Sequence, residues 1–120
     1  MEWAENKLSD NIINTGRDFL NYKYTWGGQD PKTGFDCSGF LWYIFKKNGI
    51  NIPRTTGGLF NFGKQVEMKD ARPGDIICSR GSGSTGRHVQ MISKIENGQI
   101  WVIEAKDSKH GIVEEPLTKK

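Results

Sequence analysis

Gly34-Phe35-Asp36-Cys37-Ser38-Gly39 runs directly into Phe40-Leu41-Trp42-Tyr43-Ile44-Phe45, and this passage decides how the chain is read. Phe40, Leu41, Ile44 and Phe45 have the spacing of one apolar helix face, with Asp36 suited to cap the start and Gly49 to stop the end. Cys37 shares a stripe with Leu41, Ile44 and Phe45, so its sulfur belongs at the first turn, near the edge of the core. Unpaired backbone N–H groups carry partial positive charge there, which suits the anionic sulfur that attacks carbonyl carbons. A helix start of this kind turns a cysteine into a nucleophile.

Working outward, Leu8, Ile12 and Phe19 recur at spacings of four and seven with Ile13 and Leu20 beside them, predicting an amphipathic helix from about Ala4 to Leu20. Asn21 to Thr33 carries Gly27-Gly28 and Pro31, the signature of a loop, and Tyr24 and Trp26 stand in it either to line a groove or to cover the core edge. Downstream, Pro53-Arg54-Thr55-Thr56 opens a further short helix. From Val66 the pattern changes to short strands. Pro73-Gly74-Asp75 turns into a strand over Ile76 to Ser79, and Arg80 to Gly86 is a Gly/Ser loop without periodicity. His88 to Ile95 and Gln99 to Ala105 form a hairpin around Asn97-Gly98, and a last strand lies near Gly111 to Glu115. Helices first and an antiparallel sheet second predict an α+β fold.

The 120 residues suit one domain spanning 1–120 with one core. Seventeen basic against fourteen acidic residues give a net charge of +3, scattered along the chain apart from Lys119-Lys120, so no nucleic-acid-binding stripe is present. No apolar run reaches the roughly 18 residues of a membrane span. Met1-Glu2-Trp3-Ala4-Glu5-Asn6-Lys7 lacks the apolar region of a secretion signal, so a mature fragment or another export route is expected. Two cysteines are no disulfide framework, and Cys78, in the apolar run Ile76-Ile77-Cys78, is expected to be a buried inert thiol.

A cysteine nucleophile needs a base and a third group that orients the base. His88 is the candidate base, and Glu104, Asp107 and His110 are the candidates for the third group. Glu104 stands in the apolar strand Trp101-Val102-Ile103-Glu104-Ala105, where a carboxylate is costly unless partnered. Register decides whether His88 is that partner. A strict two-residue turn at Asn97-Gly98 sets Glu104 opposite Met91, on the face away from His88. A three-residue or bulged connection sets it opposite Gln90, on the face of His88, and an irregular hairpin end is therefore expected. A zinc site from Cys37, Cys78, His88 and His110 lacks the usual ligand spacing.

Tyr24-Thr25-Trp26-Gly27-Gly28, Gly34 to Phe40, Ile52-Pro53-Arg54-Thr55-Thr56, Arg72-Pro73-Gly74-Asp75-Ile76 and Gly86-Arg87-His88-Val89 resemble, in this order, the motif series of the NlpC-type cell-wall peptidases. These are papain-like cysteine peptidases. The resemblance runs from about Asn11 to Pro116 and implies a minimal papain-like fold, N-terminal helices packed on an antiparallel sheet of about five or six strands. It implies Cys37 as nucleophile, His88 as base and Glu104 as the third polar residue. Tyr24 would help shape the oxyanion region, Asp36 and Ser38 would line the substrate's amino-terminal side, and Trp26 and Arg54 would contact substrate. Leu59 stands where the family has glutamine. The implied reaction is hydrolysis of peptidoglycan stem peptides, commonly between D-glutamate and a diamino acid. The implied protein is a monomer, outside the cell or in its envelope, needing no metal or organic cofactor. An amidase or acyltransferase on the same fold, or a non-catalytic wall-binding module, are the competing readings.

Overall fold

The computed structural model describes residues 2–80 and 87–117. Its α-helices and strands in chain order are α1 (Glu2–Arg17), β1 (Gln29–Asp30), β2 (Gly34–Phe35), α2 (Cys37–Lys47), α3 (Thr56–Phe60), β3 (Ile76–Arg80), β4 (Arg87–Glu96), β5 (Gln99–Ala105) and β6 (Ile112–Pro116), with a 3-10 turn at Met68–Asp70 ahead of β3. The larger sheet is antiparallel in the order β3-β4-β5-β6, and β1 and β2 make a separate antiparallel pair. The fold is α+β, with the helices ahead of the sheet in sequence as the pattern predicts.

The core sits between helices and sheet. From α2 it takes Phe40, Leu41, Ile44 and Phe45, from α1 Ile12 and Ile13, and from the sheet Val89, Met91, Ile103, Ala105 and Ile112. Each large apolar side chain buried here contributes about 1.5–3 kcal/mol, so α2 is anchored chiefly by its inward stripe. Phe19, Phe35, Phe40 and Tyr43 add edge-on and tilted ring contacts at centroid separations of 5.5–5.6 Å. The first helix ends at Arg17 rather than Leu20, because Asp18, Phe19 and Leu20 turn back on i−3 carbonyls at 3.0–3.3 Å. No helix among the described residues is long and apolar enough to cross a membrane. The predicted loop from Arg80 to Gly86 lies, beyond Arg80, outside the described residues.

The hairpin departs from expectation in one place. Its end is regular: Glu96 pairs with Gln99 across Asn97-Gly98, both at positive φ (51° and 78°), the backbone that a tight two-residue turn requires. The irregularity lies inside β4, where Lys94 pairs with Trp101 but Ile92 pairs with Val102, leaving Ser93 as the extra residue of a bulge. N-terminal to that bulge the register has slipped by one, Met91 facing Ile103. Glu104 therefore falls across from Gln90, on the face of His88.

Candidate active site

Asp36 builds the start of α2. Its backbone is extended (φ −92°, ψ −179°), its Oδ1 accepts the N–H of Gly39 at 2.7 Å, and its Oδ2 accepts the N–H of Gly27 at 3.0 Å. One carboxylate thus caps the helix and ties down the Tyr24–Gly28 loop. That loop crosses α2 so closely that a Cβ on Gly39 would stand 2.0 Å from the carbonyl oxygen of Gly28, which explains the glycine in Asp36-Cys37-Ser38-Gly39.

Arg54 completes the clasp. Its Nε donates to Gln29 Oε1 at 2.7 Å, one terminal nitrogen to Ser38 Oγ at 3.0 Å, and the other to the carbonyls of Gly27 and Gly28, both at 3.2 Å. The guanidinium also pairs with the Asp36 carboxylate at 3.2 Å. Every nitrogen of Arg54 is engaged with a protein acceptor, so the side chain holds the loop and helix start together. Ser38, buried, sits between Arg54 and Asp36. Gln29 had no signal in the sequence, since its partner lies 25 residues away.

Cys37 is a free, half-buried thiol at the edge of the core, and Cys78 is likewise free and half-buried, with burial pushing its thiol up. Tyr24 packs against the same core edge. Burial raises its hydroxyl pKa, and the charges of Cys37, Asp36 and Asp107 add to the effect. Trp26 does not cover the core: it is 85% exposed on the clasped loop.

From the sheet, His88 presents Nε2 to Glu104 Oε1 at 2.5 Å, and Gln90 Nε2 donates to Glu104 Oε2 at 3.0 Å. The Glu104 side chain is only 3% exposed, the ring of His88 27%. Burial alone would depress the imidazole pKa, but the neighbouring Cys37 sulfur and the hydrogen-bonded Glu104 carboxylate push it up to about 9. Burial would raise the Glu104 carboxyl, yet the hydrogen bonds from the side chains of His88 and Gln90 hold it below the ordinary range. The cost of a carboxylate in an apolar strand is met by the partner that the sequence called for. Asp107 and His110 instead pair with each other, Nδ1 to Oδ1 at 2.8 Å, in the exposed turn after β5. Among the described residues no three His, Cys, Asp or Glu side chains are grouped as a metal ion requires.

His88 and Glu104 are thus paired across β4 and β5, and Cys37 at the start of α2 lies near enough to influence the His88 ring, with Tyr24, Asp36, Ser38 and Arg54 around the helix start and Trp26 exposed on the loop. The model of the NlpC/P60 family matches residues 21–120. The chain is 46% identical over 69 residues to a gamma-D-glutamyl-L-lysine dipeptidyl-peptidase of Bacillus subtilis, a match covering 58% of this chain and 23% of that protein. It is 38% identical over 90 residues to the bifunctional muramidase/DL-endopeptidase CwlT of the same organism, covering 71% of this chain and 27% of the relative. The chain spans about a fifth of the length of the curated relatives it matches. Among solved structures, an NlpC/P60 family protein from Bacillus cereus superposes with a TM-score of 0.79 at 34% identity, covering 92% of this chain and 35% of that one. The P60 domain of an antigen from M. avium subspecies paratuberculosis gives 0.77 at 30% identity, covering 95% and 88%. With the family model matching residues 21–120 and the fold in agreement with its solved members, this chain belongs to the NlpC/P60 family.

Proposed function

We propose that this chain is a cysteine peptidase that hydrolyses peptidoglycan stem peptides at the bond between D-glutamate and the diamino acid. The observation that carries the proposal is the His88 imidazole, hydrogen-bonded through Nε2 to the buried Glu104 and close enough to the Cys37 sulfur at the start of α2 for that sulfur to raise its pKa. A carboxylate on Nε2 fixes the ring and favours imidazolium, leaving Nδ1 for the sulfur. The relatives' names, gamma-D-glutamyl-L-lysine dipeptidyl-peptidase and DL-endopeptidase, support the choice of bond.

In the proposed reaction Cys37 Sγ attacks the stem-peptide carbonyl carbon, and the carbonyl oxygen takes up the negative charge. Asp36 occupies the N–H of Gly39, so the N–H groups of Cys37 and Ser38 remain at the helix start to receive that oxyanion. His88 gives its proton to the departing amine as the C–N bond breaks, leaving a thioester on Cys37. Water deprotonated by His88 then attacks the thioester, releasing the acid and restoring the thiol. Asp36 and Arg54 hold the loop that carries Trp26, whose exposed indole is placed to meet substrate. Such a substrate puts the protein at the cell envelope or outside it.

Digestion of purified peptidoglycan, read by mass spectrometry of the soluble fragments, tests the reading. Cleavage between D-glutamate and the diamino acid is expected from the wild type and not from Cys37→Ala. Intact stem peptides after wild-type treatment would reject it in favour of a wall-binding module, and cleavage at an amide outside the stem would favour an amidase.

A further inference from the structure

The third residue of the site has a support of its own. Glu104 is buried and carries two oxygens, each of which needs a donor. His88 takes Oε1, and the Gln90 amide, two residues along the same strand face, takes Oε2 at 3.0 Å. The Ser93 bulge is what brings Gln90 across from Glu104, since an unbulged register would put Met91 there. We propose that Gln90 is a positioning residue: its side-chain amide fixes the carboxylate plane of Glu104, and with it the direction from which Oε1 holds the His88 ring.

The chemistry selects an amide at this position. Glutamine donates to a carboxylate without adding charge, whereas glutamate at 90 would add a like charge and methionine would leave Oε2 without this donor. The charged and titratable groups around the pair are Cys37 from α2, Lys106 beyond β5, and Glu115 from β6, which Lys106 ties at 3.0 Å. None of them replaces the Gln90 contact with Oε2.

The proposal rests on the peptidase reading for its catalytic meaning, but the contact is measurable without turnover. Gln90→Met and Gln90→Asn are compared with wild type by carbon-13 NMR titration of the Glu104 carboxyl and by pH profiles of stem-peptide hydrolysis. In Gln90→Met the carboxyl is expected to titrate at higher pH than in wild type and the acidic limb of kcat/KM to move up with it. The same variant should lose about tenfold in kcat with KM within twofold, and Gln90→Asn should recover part of both. Should the variants not fold, the wild-type Gln90 side-chain amide protons are read directly, with slow exchange and a downfield shift expected. An unchanged Glu104 titration in folded Gln90→Met, or a freely exchanging Gln90 amide, overturns the proposal. If the titration moves as expected while wild type cleaves no stem peptide, the hold on Glu104 is supported and the peptidase reading fails instead.

Discussion

At the scale of single residues the site is an argument about where charge is tolerated. Glu104 occupies a buried strand position in a run of apolar residues, and an unpaired carboxylate there would neutralise itself by taking up a proton. It is held anionic by His88 and Gln90, and it raises the proton affinity of His88 in return. Glu104→Gln should therefore bring the His88 pKa down from about 9 toward the ordinary imidazole value, as read by NMR titration of the ring. Hydrolysis should fall about a hundredfold in kcat, because a neutral partner holds the imidazolium less firmly. A His88 titration unmoved by the substitution would show that Glu104 is not its partner.

At the scale of elements, two devices place the chemistry. The first is the capped start of α2. Asp36→Ala removes the acceptor for Gly39 and Gly27 together with the partner of Arg54, so thermal or denaturant unfolding should show a loss of about 1–2 kcal/mol. The second is the bulge. Ser93 is the surplus residue between the Lys94–Trp101 and Ile92–Val102 pairs, so its deletion leaves those pairs, and the alignment of Glu104 with Gln90, in place. The deletion variant should retain a His88 pKa near the wild-type value and hydrolysis within about tenfold, whereas a collapse of both would mean that the bulge itself shapes the site. The helix was legible because an Asp N-cap and four apolar residues on one face state it locally. That Glu104 could share a face with His88 was also legible, from the cost of burying a carboxylate, although alternation alone equally allowed it to face solvent. Where the strand would absorb its extra residue was not: the irregularity was expected at the hairpin end and lies inside β4, because pairing Glu104 with His88 requires a slip and is silent on its position. The strands Gln29–Asp30 and Gly34–Phe35 are too short to show a period, and the partners of Arg54 are set by tertiary packing alone.

At the scale of the whole molecule, the site draws on both halves of the chain: Cys37, the proposed nucleophile, comes from the helical half and the His88–Glu104 pair from the sheet. Coupling of this pair to folding has a definite sign. The His88 pKa is raised, so its contribution to stability is fully present below the ordinary value of 6.5 and is lost as pH rises through about 9. The Glu104 pKa is lowered, so its contribution is present above the ordinary value of 4.5 and is lost as pH falls through the folded value. The melting temperature should therefore fall between pH 7 and pH 9 in wild type and fall less in Glu104→Gln, as checked by thermal unfolding across that range. An equal slope in both would separate the pair from folding stability. Acid-quenched intact-protein mass spectrometry during turnover of a stem peptide, run alongside Cys37→Ala, tests the claim that the Cys37 sulfur becomes acylated. An added mass equal to the amino-terminal acyl fragment, mapped to Cys37, is expected in wild type, with neither adduct nor hydrolysis in the variant; hydrolysis by Cys37→Ala at the wild-type rate would rule out acylation of that sulfur as the route.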